Sequence, residues 1–223
     1  MGKKSGKGAK SATASAAAFV PSGGTPVIAF YGERDAPYGV FSNFHRHTTP
    51  FLFTLPSFAG RDGFPQSVWC PFSEKAIMIT KAALMNDLET FQTLDEATTP
   101  ADAKALGRQV KNFDLGLRKS RLEEIAYEVV RQKFDSEKQL REILLSTGDA
   151  ILAEAAPNDQ VWGIGMKVSD PRVQDLARWQ GRNVLGNALM RARDAIRKRI
   201  AVDSSSMTAG ASTAYGSGRA RQV

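Results

Sequence analysis

The chain reads as a single α-rich α+β domain over residues 26–202, set between two low-complexity tails. Three observations predict that class. Apolar residues at helical spacing, with caps and stops, recur from residue 73 onward. Short apolar runs of strand type lie before that region and again near residue 150. Hydrophobic residues make up 42% and charged residues 24% of 223, which suits one sizeable core and excludes wholesale disorder.

The elements follow in order. Residues 27–31 and 51–55 are apolar and strand-like, and Gly60, Asp62 and Gly63 supply turn chemistry before a third extended segment leading to Trp69. From Ser73 the pattern turns helical, with Ala76, Ile77, Thr80, Ala83 and Leu84 near a period of four and no Gly or Pro through Met85. Thr99 caps the next predicted helix, Pro100 suits its first position, and Ala105 and Leu106 are expected to face inward. Ser120 with Glu123 has the form of a capping box ahead of Leu122, Ile125, Val129 and Val130, and Ser136 with Gln139 repeats it ahead of Leu140, Ile143 and Leu144. Gly148 stops that helix. Residues 150–155 and 160–164 read as short extended segments, and residues 184–200 as a long final helix with Leu185, Leu189, Ile196 and Ile200 inward.

Residues 1–25 and 203–223 are dominated by Gly, Ser, Ala and a few cations, and are expected to be disordered. The net charge of +7 is concentrated there. Lys3, Lys4, Lys7, Lys10, Arg219 and Arg221 account for six of the 30 basic residues, and Asp203 for one of the 23 acidic ones, which leaves 24 against 22 in residues 26–202. A near-neutral domain lacks the footprint of a dedicated nucleic-acid reader, although basic tails add salt-sensitive attraction to a polyanion. No apolar run approaches the roughly 18 residues of a membrane helix. The lone Cys70 excludes an internal disulfide framework, so an intracellular setting, cytoplasmic or nuclear, is expected. The acid-free N-terminal tail leaves organelle targeting open.

The chemistry is narrowed first by what the composition lacks. His45 and His47 are the only histidines and flank an arginine, so no zinc constellation and no metal site is expected, and a small buried thiol is the simpler reading of Cys70. There is no P-loop, and Gly163-Ile164-Gly165 lacks the third glycine of a dinucleotide fingerprint. Carboxylates and lysines remain. Glu74 and Lys81 are seven residues apart, two helical turns, so both lie on one face with Ile77 and Met78 between them. A lysine in an apolar site loses preference for its charge and becomes nucleophilic, and a neighbouring carboxylate shuttles protons. The same spacing also describes an ordinary Glu–Lys pair on a solvated helix face, and the pattern alone leaves both open. Asp159 beside Trp162 and Gly163 offers an acceptor, an aromatic wall and close backbone approach. Ser42-Asn43-Phe44 sets hydroxyl and amide groups against aromatics, which suits a ring stacked beside a ribose. Turn chemistry explains each of these two segments equally well.

In order, however, the segments form a long series: Ser42-Asn43-Phe44, Ser73-Glu74, Lys81, Ala105-Leu106-Gly107-Arg108, Lys133-Phe134, Thr147-Gly148-Asp149, Asp159, Trp162-Gly163-Ile164-Gly165, Asn183, Leu185-Gly186 and Leu189-Met190. The series resembles the NADAR family of YbiA-like proteins over about residues 28–198. The resemblance implies a pocket for ADP-ribose or a related ribosyl compound, and hydrolysis of an N-glycosidic bond without metal or organic cofactor. It implies Lys81 as the amine that attacks the opened sugar, Glu74 as the proton-transfer group and Asp159 as the group that orients the sugar. Ser42, Asn43, Phe44, Trp69, Arg108, Trp162 and Gly163 are implied in binding. Two departures stand out. Lys75, Ala76, Ile77 and Met78 replace an aromatic-and-Gln stretch, and Arg118 stands where the family commonly has a tryptophan. An arginine there is suited to a bidentate grip on pyrophosphate. The leading expectation is removal of ADP-ribose from guanine in DNA or RNA. The alternatives are a YbiA-like N-glycosidase on ribosylamino intermediates of riboflavin synthesis and a non-catalytic ADP-ribose reader.

Overall fold

The computed structural model describes residues 24–60 and 62–214. Four short strands form two separate ladders. β1 (Val27–Phe30) pairs in parallel with β4 (Ile151–Glu154), with Val27 opposite Ile151 and Phe30 opposite Glu154. β2 (Phe51–Thr54) and β3 (Ser67–Cys70) pair antiparallel, with Leu52 opposite Trp69. The helices are α1 (Ser73–Leu84), α2 (Leu88–Asp95), α3 (Pro100–Gly107), α4 (Leu115–Ser136), α5 (Lys138–Ser146) and α6 (Val184–Ala214). Among the described residues helix dominates and strand is minor, so the expected α-rich α+β class is the one observed.

Among the described residues the apolar side chains form two large cores and a smaller cluster around Val27, Ala153, Ile164 and Val173. The first gathers the β2–β3 ladder with α1, α2 and α3 around Phe53, Phe72, Ile79, Phe91 and Leu94. The second joins the β1–β4 ladder to α4, α5 and α6 around Phe41, Phe134, Leu144, Leu152 and Leu189. α4 contributes to both, through Ile125 and Val129 on one side and Leu122, Ala126 and Val130 on the other. A helix apolar on so much of its circumference must be sandwiched rather than laid on a surface. Trp162 also touches both cores and stands at the seam between them.

Several local expectations hold for the reasons given. The Thr99 hydroxyl accepts from the Asp102 N–H at 3.1 Å and so caps α3, with Pro100 at the first position. α5 ends ahead of Gly148, whose φ is +55°. Others are corrected. α4 starts five residues before Ser120, capped by Asp114, whose carboxylate accepts from the Leu117 N–H at 2.9 Å. Ser120 and Ser136 are instead inside that helix and donate to Leu117 and Lys133 carbonyls. Asp has the same capping chemistry as Ser, so the earlier acceptor won. α2, capped by Asp87, was not anticipated. Within α3 it is Ala103 and Gly107 that are buried, while Ala105 is exposed and Leu106 partly buried. Residues 160–164 form turns rather than a strand, bonded to residues 180–185 by backbone hydrogen bonds.

α6 continues well past residue 202, where composition placed the start of the C-terminal tail. The expectations for residues 1–23 and 215–223 lie outside the described residues. Among the described residues no helix is long and apolar enough to cross a membrane.

Candidate active site

At the seam between the cores lies a cavity of about 220 Å³. Its walls come from five places in the chain. α1 contributes Glu74, Met78 and Lys81, the end of α3 contributes Lys104, Gly107 and Arg108, and the first turn of α4 contributes Arg118. The loop after the 3-10 turn Tyr38–Phe41 brings Ser42, Asn43 and Phe44. The C-terminal end of β4 and the loop beyond it bring Glu154, Asp159 and Trp162.

Each wall is held by identifiable bonds. The Glu74 N–H, in the first turn of α1, donates to the Asn43 carbonyl at 2.9 Å, which fastens the Ser42–Phe44 loop to the helix start. That bond occupies one of the orphan N–H groups of a helix whose N-cap, Phe72, has no side-chain acceptor. The buried Lys133 donates from Nζ to the Ser42 carbonyl at 3.0 Å, and the Ser42 hydroxyl accepts from the Phe44 N–H at 3.1 Å. Burial brings Lys133 down to about 7. On the opposite wall Asn183, at φ +55°, accepts from the Glu154 N–H at 3.0 Å and donates to the Leu152 carbonyl at 2.8 Å, pinning the end of β4. Asp159 uses one carboxylate oxygen to accept from the Val161 and Trp162 N–H groups, at 2.9 and 2.8 Å.

The electrostatics are those of a desolvated acid–base site. Burial, reinforced by the Asp159 carboxylate, pushes Glu74 up to about 7 against the pull of Lys104, Arg108 and Arg118. Burial, Asp159 and Glu74 push Glu154 up to about 7 as well. Glu154 Oε2 is buried and has no hydrogen-bond partner. Lys81 is lowered by burial and by the nearby Arg118. Its Nζ donates to the Gly107 carbonyl at 2.6 Å and lies 4.5 Å from the centroid of the Phe113 ring. Both contacts favour the ammonium form and so work against that lowering.

The structure brings Ser42, Asn43, Phe44, Glu74, Lys81, Arg108, Arg118, Asp159 and Trp162 to one cavity. Two expected residues are placed elsewhere. Trp69 is 60% exposed on the outer face of β3, because its neighbours Val68 and Cys70 point into the core and strand side chains alternate. Gly163 is buried behind the wall rather than lining it, and a Cβ there would come within 2.6 Å of the Glu154 carbonyl oxygen. Its absence of a side chain lets the Asp159 loop close on β4. Of the four lining residues not expected there, Met78, Lys104, Gly107 and Glu154, two are charged. Lys104 sits four residues before Arg108, one helical turn, and that spacing was a usable signal. Glu154 ends an apolar run and has no partner at fixed spacing, so the sequence carried none. The two histidines stand apart from this chemistry: His47 is buried, held near 3 by burial and by Lys133, and its ring lies 5.0 Å from that of Phe51.

Raised carboxyls, a lowered lysine and two arginines thus line one cleft on this fold. The comparisons give the family. The family model for the NADAR domain matches residues 29–197, and the chain belongs to that family. The N-glycosidase Npun_R5314 of Nostoc punctiforme is 31% identical over 170 residues, covering 74% of this chain and 90% of that protein. Protein irg-1 of Caenorhabditis elegans is 33% identical over 124 residues, 55% of this chain and 58% of irg-1, so the match spans little more than half of that relative. The NMR structure of the E. coli protein YbiA superposes with a TM-score of 0.57 at 27% identity, covering 78% of this chain and 86% of YbiA. The Nostoc relative, matched over 90% of its length, is an N-glycosidase by name.

Proposed function

We propose that the chain hydrolyses the N-glycosidic bond between ADP-ribose and guanine in nucleic acid, through a covalent intermediate on Lys81. The observation that carries the reading is the meeting of the Lys81 amine and the near-neutral Glu74 carboxyl in one cavity that also holds Arg108 and Arg118. The two arginines and Lys104 suit a diphosphate, with Arg118 suited to grip it bidentately.

The steps follow from these groups. Glu74, protonated, gives its proton to the ribose ring oxygen as the C1–O bond breaks, and C1 becomes an iminium to the guanine nitrogen. The deprotonated Lys81 amine adds to C1. A proton moves from the lysine nitrogen to the guanine nitrogen, the C–N bond to guanine breaks, and C1 is left as a Schiff base to Lys81. Water adds to C1, and a carboxylate of the Glu154–Asp159 pair takes its proton. The C1–Nζ bond then breaks to return the amine and free the open-chain sugar, which recloses. The net change is substrate plus water to guanine and ADP-ribose.

Borohydride trapping tests this directly. With guanine-ADP-ribosylated DNA or RNA, the wild type is expected to release ADP-ribose and to give a reduced adduct on Lys81. Lys81→Ala is expected to lose both. Turnover without any trapped adduct would remove the covalent step. No release from either nucleic acid would sink the substrate assignment, and ribosylamino metabolites would be assayed next.

A further inference from the structure

The cleft does not end at the carboxyl groups. A second cavity of about 360 Å³, not lined by Lys81, shares Ser42, Phe44, Lys104, Glu154 and Asp159 with the first and adds Tyr31, Glu33 and Asn158. Its origin is the parallel pairing of β1 with β4. Phe30 lies opposite Glu154, so the segments that leave the two strands emerge side by side. Tyr31 to Glu33 form one wall and the loop carrying Asn158 forms the other. Together the two lobes fall within the roughly 300–1,000 Å³ of small-molecule sites.

The lobes differ in chemistry. The first holds Lys81, Lys104, Arg108 and Arg118. The second shares Lys104 and adds no further cation, but it adds a carboxylate, a carboxamide and an aromatic ring beside Phe44. Tyr31 is 49% exposed, so its ring is open to a ligand. The Glu33 carboxylate forms an ion pair with the solvent-facing Arg34, at 3.6 Å, a loose surface pair that leaves it available. An anionic diphosphate belongs in the first lobe. A flat, uncharged heterocycle with N–H donors belongs in the second, where aromatic faces stack it and a carboxylate reads its edge.

We propose that the second lobe receives the departing guanine, stacked against Tyr31 and read by Glu33 through its ring and amino N–H groups. The assignment rests on the reaction proposed above. It also places the scissile bond at the junction of the lobes, beside Glu154 and Asp159.

The test uses Glu33→Gln and Tyr31→Ala, both substitutions at solvent-accessible side chains. Each is expected to raise KM for an ADP-ribosylated guanine oligonucleotide about tenfold or more, the worth of one stacked or edge-read base. Binding of ADP-ribose, which lacks the guanine, is expected to stay within about twofold, because no contact to it is lost. Equal weakening of ADP-ribose binding would show that the lobe holds the adenosine end, and the proposal would fail. Unchanged KM in both variants would overturn it as well. If the wild type itself releases no ADP-ribose from modified guanine, the substrate assignment falls first and this lobe's role falls with it.

Discussion

Glu74→Gln should separate the acid–base role of this carboxyl from a merely structural one. The folded protein holds Glu74 near 7 against an ordinary 4.5. A carboxyl raised on folding contributes its stability below the unfolded value and loses it as pH climbs through the folded one. A shift of about 2.5 units corresponds to about 3 kcal/mol at most. Glutamine keeps the shape and never ionises, so it escapes that loss. Urea unfolding at pH 5 and pH 8 reads the difference. Relative to wild type, the variant's stability should rise by about 2–3 kcal/mol between the two pH values, whatever constant offset the substitution adds. In Tm this is a shift of about 2–4 °C per kcal/mol for a domain of this size. Turnover below pH 7 should fall by about 10²- to 10⁴-fold, as expected for a lost general acid, and the deficit should narrow above pH 7 as the wild type loses the same proton. A stability difference independent of pH would refute the buried, proton-holding state of Glu74. Near-normal turnover would refute its role as the acid.

Two further substitutions test the corrected site. Gly163→Ala drives a methyl into the backbone oxygen of Glu154 and the Ala156 side chain; unfolding should show a loss of about 1–3 kcal/mol, and turnover should drop although Gly163 does not line the cavity. A variant as stable and active as wild type would show that the loop has room to retreat. Trp69→Ala removes an exposed ring paired across the ladder only with Leu52; steady-state assays should find kcat/KM within about twofold, and unfolding a cost of about 0.2–1 kcal/mol. A tenfold loss in kcat/KM would return Trp69 to the site.

Much of the site was legible because it is local. Glu74 and Lys81 share a face of α1 by helical geometry alone, and Thr99 and Pro100 announce α3, which carries Arg108 at its end. Trp69 was misplaced because an aromatic near a helix start looks like a pocket wall until the strand's alternation is known. Ser120 and Ser136 were misread as caps because the pattern of a capping box recurs inside helices, where the hydroxyl returns to its own backbone.

By itself the sequence determined the α-rich class, the two-turn acid–lysine pair, and, through the ordered motif series, membership of the NADAR family. Those properties follow from spacing along the chain. The tertiary structure alone decided that the pair is desolvated at a seam between two cores, that Glu154 joins it, and that a second lobe lies beyond. The β1–β4 pairing joins residues more than a hundred positions apart, and burial depends on every element packed around the cleft. A carboxyl's proton affinity is set by that burial and by charges brought near in space, neither of which a residue's place in the sequence contains.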